Sequence, residues 1–111
     1  MASRRKEHQK DAKFRVFQII NENPQMSTRE IAKKIGISNG STYYLLTSLI
    51  DMGFIKLSNF KDSSQKIKYS YLLTPKGIRE KSLITGEFLL RKKQEYELLK
   101  KEISKLERDL S

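Results

Sequence analysis

Apolar positions change their period along this chain, and each change marks an element. From Lys10 to Asn23, Phe14, Phe17 and Ile20 recur at helical spacing, with Val16 thickening the stripe. Asn23–Pro24 closes that segment, because proline disfavours helix in the residue before it. The two phenylalanines are expected to pack beneath the helices that follow. Residues 27–53 read as two short helices around a tight turn. In the first, Ile31, Ala32 and Ile35 form one apolar stripe, and Ser27 with Glu30 three residues later has capping-box spacing. Gly36 ends it where a left-handed backbone costs glycine little. Ile37 follows as a buried plug, and Ser38 or Asn39 caps the second helix. That helix turns Thr42, Leu45, Leu46, Leu49 and Ile50 inward and closes at Gly53.

After Gly53 the pattern becomes extended. Residues 54–60 (FIKLSNF) and 67–73 (IKYSYLL) are rich in aromatic and β-branched side chains, with polar residues alternating through both. The polar run KDSSQK between them predicts a β-hairpin whose tip carries Lys61 and Lys66. Thr74–Pro75 then opens another helix, threonine as N-cap and proline at the first helical position. Leu89, Lys92, Tyr96, Leu99, Ile103, Leu106 and Leu110 recur at alternating spacings of three and four, a heptad seam with a single polar member, Lys92. Gly77 is cheap in the first turn. Gly86 is interior, costs roughly 1 kcal/mol relative to alanine, and is a candidate for a kink or a close helix crossing.

A helix, a glycine turn and a helix with a polar outer face make a helix-turn-helix, whose second helix enters the DNA major groove. A hairpin directly behind it reads as a wing. The expected fold is mainly α with a small β-hairpin (α+β): a winged helix-turn-helix plus a long C-terminal dimerisation helix. Residues 1–9 are polar and basic and are expected to be a disordered arm. Residues 10–73 form the DNA-binding domain, and residues 74–111 the dimerising helix, a coiled coil. A helix over residues 75–109 spans about 50 Å at a rise of roughly 1.5 Å per residue. That is too long to fold back on so small a domain, so a second copy is expected to cover its seam at Leu89, Tyr96, Leu99, Ile103, Leu106 and Leu110.

Charge sharpens this picture. Across 111 residues, 23 lysines and arginines stand against 13 acidic residues, a formal charge of +10 that points to a polyanionic partner. There is no cysteine and a single histidine, His8, so disulfides, thiol chemistry and a histidine-based metal site or triad lack materials. No glycine-rich phosphate loop or carboxylate cluster is visible, so no enzyme and no cofactor are expected. No apolar run could cross a bilayer and no signal peptide opens the chain, so a cytoplasmic location is expected.

Three stretches, GISNGSTYYLL, the GFI that leads into the hairpin, and LTPKGI before the last helix, resemble winged-helix regulators of the multiple-antibiotic-resistance (MarR) type. The short length and the ending TPKGIREKSLITGEFLLRKKQEYELLKKEISKLERDL look like the compact exopolysaccharide-associated branch of that family. The resemblance runs from about Phe14 onward. It implies a homodimeric, cytoplasmic transcriptional regulator acting near genes for extracellular polysaccharide synthesis. Its base-facing positions would fall on Asn39, Gly40, Ser41, Tyr43, Tyr44 and Thr47. Related recognition helices often carry arginine or lysine where this chain has Tyr44 or Thr47, so bidentate guanine readout by arginine is not available here. Longer members also open with an extra dimerising helix for which this chain leaves no room, and whether a small-molecule effector binds stays open.

Phosphate contacts are expected from Lys33, Lys34, Lys61, Lys66 and Lys68, which would carry most of the affinity for double-stranded DNA. Asn39, Ser41, Tyr44 and Thr47 would discriminate bases. The competing reading is a winged-helix scaffold for protein–protein contact without DNA binding. A membrane role is disfavoured, because the heptad seam of leucine and isoleucine suits another helix better than lipid.

Overall fold

A computed structural model describes the backbone of residues 2–61, 63–64 and 67–111, and the side chains of residues 9–59, 61, 63–64 and 68–111. The order is α1 (Ala2–Glu22), α2 (Thr28–Ile35), α3 (Asn39–Asp51), β1 (Ile55–Lys61), β2 (Ile67–Leu73) and α4 (Pro75–Leu110). Three helices, a two-stranded antiparallel hairpin and one long helix give the winged helix-turn-helix architecture, an α+β fold. Helix α1 differs from expectation at its start. It begins at Ala2 rather than after a separate arm, since neither proline nor glycine interrupts residues 2–22. Met1 and the side chains of residues 2–8 lie outside the described residues.

Local chemistry sets the helix ends. The Ser27 hydroxyl oxygen accepts the Glu30 N–H at 3.1 Å, and the Gly36 and Ile37 N–H groups both return to the Ala32 carbonyl, at 2.9 and 3.2 Å. Gly36 takes the left-handed conformation that this closure needs, with φ 84°. Ser38 is the cap of α3, accepting the Ser41 N–H at 3.1 Å. Within α3, Thr42, Leu46 and Leu49 are buried and Leu45 is half-buried. Ile50, read as an inward residue, lies on the surface in the last turn instead. Ile37 is likewise half-buried rather than a sealed plug.

The core gathers Val16, Phe17 and Ile20 of α1 against Ile31, Leu46, Leu49 and Ile55. Phe17 meets Phe54 edge-to-face with ring centroids 6.0 Å apart. Phe14 does not join Phe17 beneath the helix-turn-helix. It stacks on Phe88 of α4 at 4.4 Å, because α1 turns a second face to the long helix. Lys13 pairs with Glu80 at 3.3 Å and Arg91 pairs with Asp11, and with the ring stack these pairs brace α1 against α4. The hairpin register sets Ile55 opposite Leu73 and Ser58 opposite Ser70. Tyr71 ties the hairpin to the α1–α2 corner: its N–H donates to the Pro24 carbonyl at 2.9 Å, and its hydroxyl lies 2.9 Å from the Thr28 hydroxyl.

Thr74 is the sole residue between β2 and α4. Its hydroxyl accepts the Gly77 N–H at 3.0 Å and donates toward the Gly53 and Phe54 carbonyls at 2.5 and 3.1 Å. Gly77 is far from cheap. A Cβ there would sit 1.9 Å from the Phe54 carbonyl oxygen, so the first turn of α4 rests directly on the backbone leading into β1. Gly86 is the opposite case, with open space around it and no break in the 36-residue helix. Beyond Arg91 every residue of α4 is exposed, and the helix carries the molecule to a longest dimension of 68 Å.

Candidate nucleic-acid interface

Helix α3 presents two unlike faces because its apolar residues cluster on one side. Thr42, Leu46 and Leu49 anchor it from behind, and the Thr42 hydroxyl is satisfied by the Ser38 carbonyl at 2.9 Å. What remains outward is Asn39, Gly40, Ser41, Tyr43 and Tyr44, all exposed, with the two tyrosines 67% and 75% accessible. No carboxylate interrupts residues 39–47. Rings this exposed are free to meet base edges or sugar, and their hydroxyls can donate and accept.

Two of the expected reading residues are partly committed. The Thr47 hydroxyl donates to the Tyr43 carbonyl at 2.8 Å and the residue is half-buried, so its one donor is already in use. The Ser41 oxygen accepts the Ser38 hydroxyl at 2.9 Å, which fixes its position at the helix start. Asn39 and Gly40 stand at the N-terminus of α3, where the helix dipole favours a phosphate.

The expected phosphate contacts fall on two elements. Lys33 and Lys34 occupy the last turn of α2, just before the turn into α3, and both are exposed. Lys61 ends β1 and Lys68 lies on β2, both exposed on the wing. Lys66 lies outside the described residues.

One contribution was not read from the sequence. Between α1 and α3 runs a groove of about 840 Å³ in which Gln9, Lys10 and Lys13 face Ser41, Tyr44 and Ser48. Lys10 thus puts a cation beside the α3 surface, from a helix read only for its core residues. The i, i+3 spacing of Lys10 and Lys13 on the polar side of α1 was the available signal. Lys13 itself is held by Glu80 and lies 5.0 Å from the Phe54 ring centre, so Lys10 is the freer of the two. Among the described residues no cluster of carboxylates and histidines could hold a metal ion, and no helix is long and apolar enough to cross a membrane.

Comparison with known proteins agrees with this arrangement. Residues 10–56 match the family described as winged helix-turn-helix DNA-binding. No curated protein sequence matches the chain. Among solved structures, a PadR-like transcriptional regulator from Bacillus cereus is similar with a TM-score of 0.69 and 19% identity, over 78% of this chain and 89% of that one. MepR, a transcription regulator of the Staphylococcus aureus multidrug efflux pump MepA, gives a TM-score of 0.59 at 18% identity over 94% of this chain and 78% of its own. The transcriptional repressor CouR, solved bound to a 23-mer DNA duplex, gives 0.52 at 23% identity over 66% of this chain and 50% of its own. At such identities the likeness is one of fold, and the fold is the winged helix-turn-helix.

Proposed function

We propose that this protein is a sequence-specific, DNA-binding transcriptional regulator that works as a homodimer. The observation that carries the reading is the outward, acid-free surface of α3, with both tyrosines exposed, inside a domain that matches a DNA-binding family over residues 10–56. The charge of +10 supports it, because neutralising phosphates and releasing counterions supplies most of the affinity in such complexes. α3 lies in the major groove and the wing lysines meet the flanking backbone. The unpartnered seam of α4, with Leu99 and Ile103 exposed, supports the dimer. The resemblance to the exopolysaccharide-associated branch supports genes for extracellular polysaccharide as targets.

Selection of bound duplexes from a random library tests this, followed by gel shift across a salt series. Two related half-sites should emerge, and affinity should fall by roughly a thousandfold between 50 and 200 mM salt if about six phosphates are neutralised. A library that yields no enriched sequence, together with salt-insensitive or absent binding, refutes the regulator and leaves the protein–protein scaffold.

A further inference from the structure

The seam of α4 does more than call for a second copy; its flanking charges specify how that copy lies. We infer that two α4 helices pair antiparallel, centred on Gln94, so that the winged heads stand at opposite ends of one coiled coil. This rests on the dimeric reading above.

Taking Leu89, Tyr96, Ile103 and Leu110 as a positions makes Lys92, Leu99 and Leu106 d positions, and the same frame runs back through Ser82 and Thr85 to Ile78. Ile78 is 57% exposed and Leu110 is 90% exposed, at opposite ends of the helix. In the antiparallel frame Ile78 meets Leu110 of the second copy, Ser82 meets Leu106, and Lys92 lies against the Tyr96 ring. Small side chains thus face large ones, and the one charged member of the seam meets an aromatic face rather than another ammonium. Along the edges, Arg79 faces Glu107 of the second copy and Lys81 faces Asp109, each pair formed twice by symmetry. Like charges meet only near the axis, Lys93 with Lys93 and Glu95 with Glu95, and Glu95 is already held by Lys92 of its own helix at 3.1 Å.

The alternatives fare worse. Sliding one heptad in one direction sets Lys93 against Lys100 twice, and sliding in the other sets Arg79 against Lys100 twice. A parallel pair gains Glu95 with Lys100 but confronts Lys92 with Lys92 inside the seam and Glu102 with Glu107 at both edges. A buried ammonium pair has no compensating partner.

The chain has no cysteine, so single-cysteine variants report pairing cleanly. Ile78→Cys and Leu110→Cys are both at exposed positions, and circular dichroism checks that each variant is folded. Mixed, re-equilibrated and mildly oxidised, the two should give a disulfide-linked heterodimer, whereas Leu110→Cys alone should not cross-link. Glu107→Lys adds a sign test on the full chain. The antiparallel pair loses two attractions and gains two repulsions, so the dimer dissociation constant should rise roughly tenfold, and Arg79→Glu in the same chain should restore it. A parallel pair predicts a tighter dimer from Glu107→Lys and a 110–110 cross-link; either result overturns the antiparallel assignment while leaving a dimeric regulator standing. A monomer of 13.0 kDa by light scattering at micromolar concentration overturns both the pairing and the dimer.

Discussion

Replacing Gly77 by alanine tests the joint between head and tail more sharply than any core truncation. The added Cβ would lie 1.9 Å from the Phe54 carbonyl oxygen and 2.9 Å from its carbon. To reach 3.0 Å, the shortest approach that such atoms show, the two backbones must part by about 1.1 Å. Neither side can move freely. Phe54 is buried against Phe17, and its carbonyl also accepts the Thr74 N–H at 3.0 Å. Overpacking of this kind costs about 1–3 kcal/mol, and a clash between two backbones belongs at the upper end. The better helix propensity of alanine offsets at most about 1 kcal/mol. A net loss of about 2 kcal/mol lowers Tm by roughly 8 °C for a chain of this size. Gly86→Ala is the control: open space surrounds that position, so the same substitution should raise Tm by a few degrees, about 1 kcal/mol. Thermal melts followed by circular dichroism at one fixed protein concentration compare the two, since the proposed dimer would make Tm concentration-dependent. Equal behaviour of both variants would refute the claim that α4 rests on the Phe54 backbone.

In a double-mutant cycle, Phe14→Ala and Phe88→Ala should couple by about 0.5–1.5 kcal/mol, since their rings stack at 4.4 Å; additive effects would show that the stack contributes nothing of its own. Lys34→Ala with Lys61→Ala should weaken binding to all duplexes alike and reduce the salt slope by roughly 2, about one per lost phosphate contact; an unchanged slope removes α2 and the wing from the interface. Tyr44→Ala should flatten sequence preference more than it weakens non-specific binding. If the selected sequences match those of the parent, Tyr44 is not a reading residue. Lys10→Ala should reduce affinity if the α1–α3 groove borders the duplex, and fluorescence anisotropy with a labelled operator would show no change if it does not.

Much of the fold was legible because its signals are local. Ser27, Gly36, Ser38 and Thr74 announce helix ends through hydrogen bonds made within a few residues, and the switch from helical to alternating period after Gly53 announces the wing. What escaped the sequence depends on long-range packing. Phe14 has the same periodicity as Phe17, and only the approach of α4 sends one ring outward to Phe88. Gly77 reads as a permissive residue in a first turn, and only the passage of Phe54 makes it a necessity. On the candidate site, the exposure of Tyr43 and Tyr44 follows from the leucines behind them. The Thr47 hydroxyl bonds back to the carbonyl four residues earlier, as threonine does inside helices, whereas the nearness of Lys10 depends on how α1 lies beside α3.

One pinned residue, Thr74, joins strand to helix, and Gly77 is pressed against the neighbouring backbone, so wing and tail have no hinge between them. The joint is therefore stiff: a turn of the first part of α4 is passed to the head rather than absorbed between them. In the dimer proposed above, two such protomers joined at their tails would hold their heads at a set span, and a duplex with the wrong spacing would have to bend or twist to be accepted.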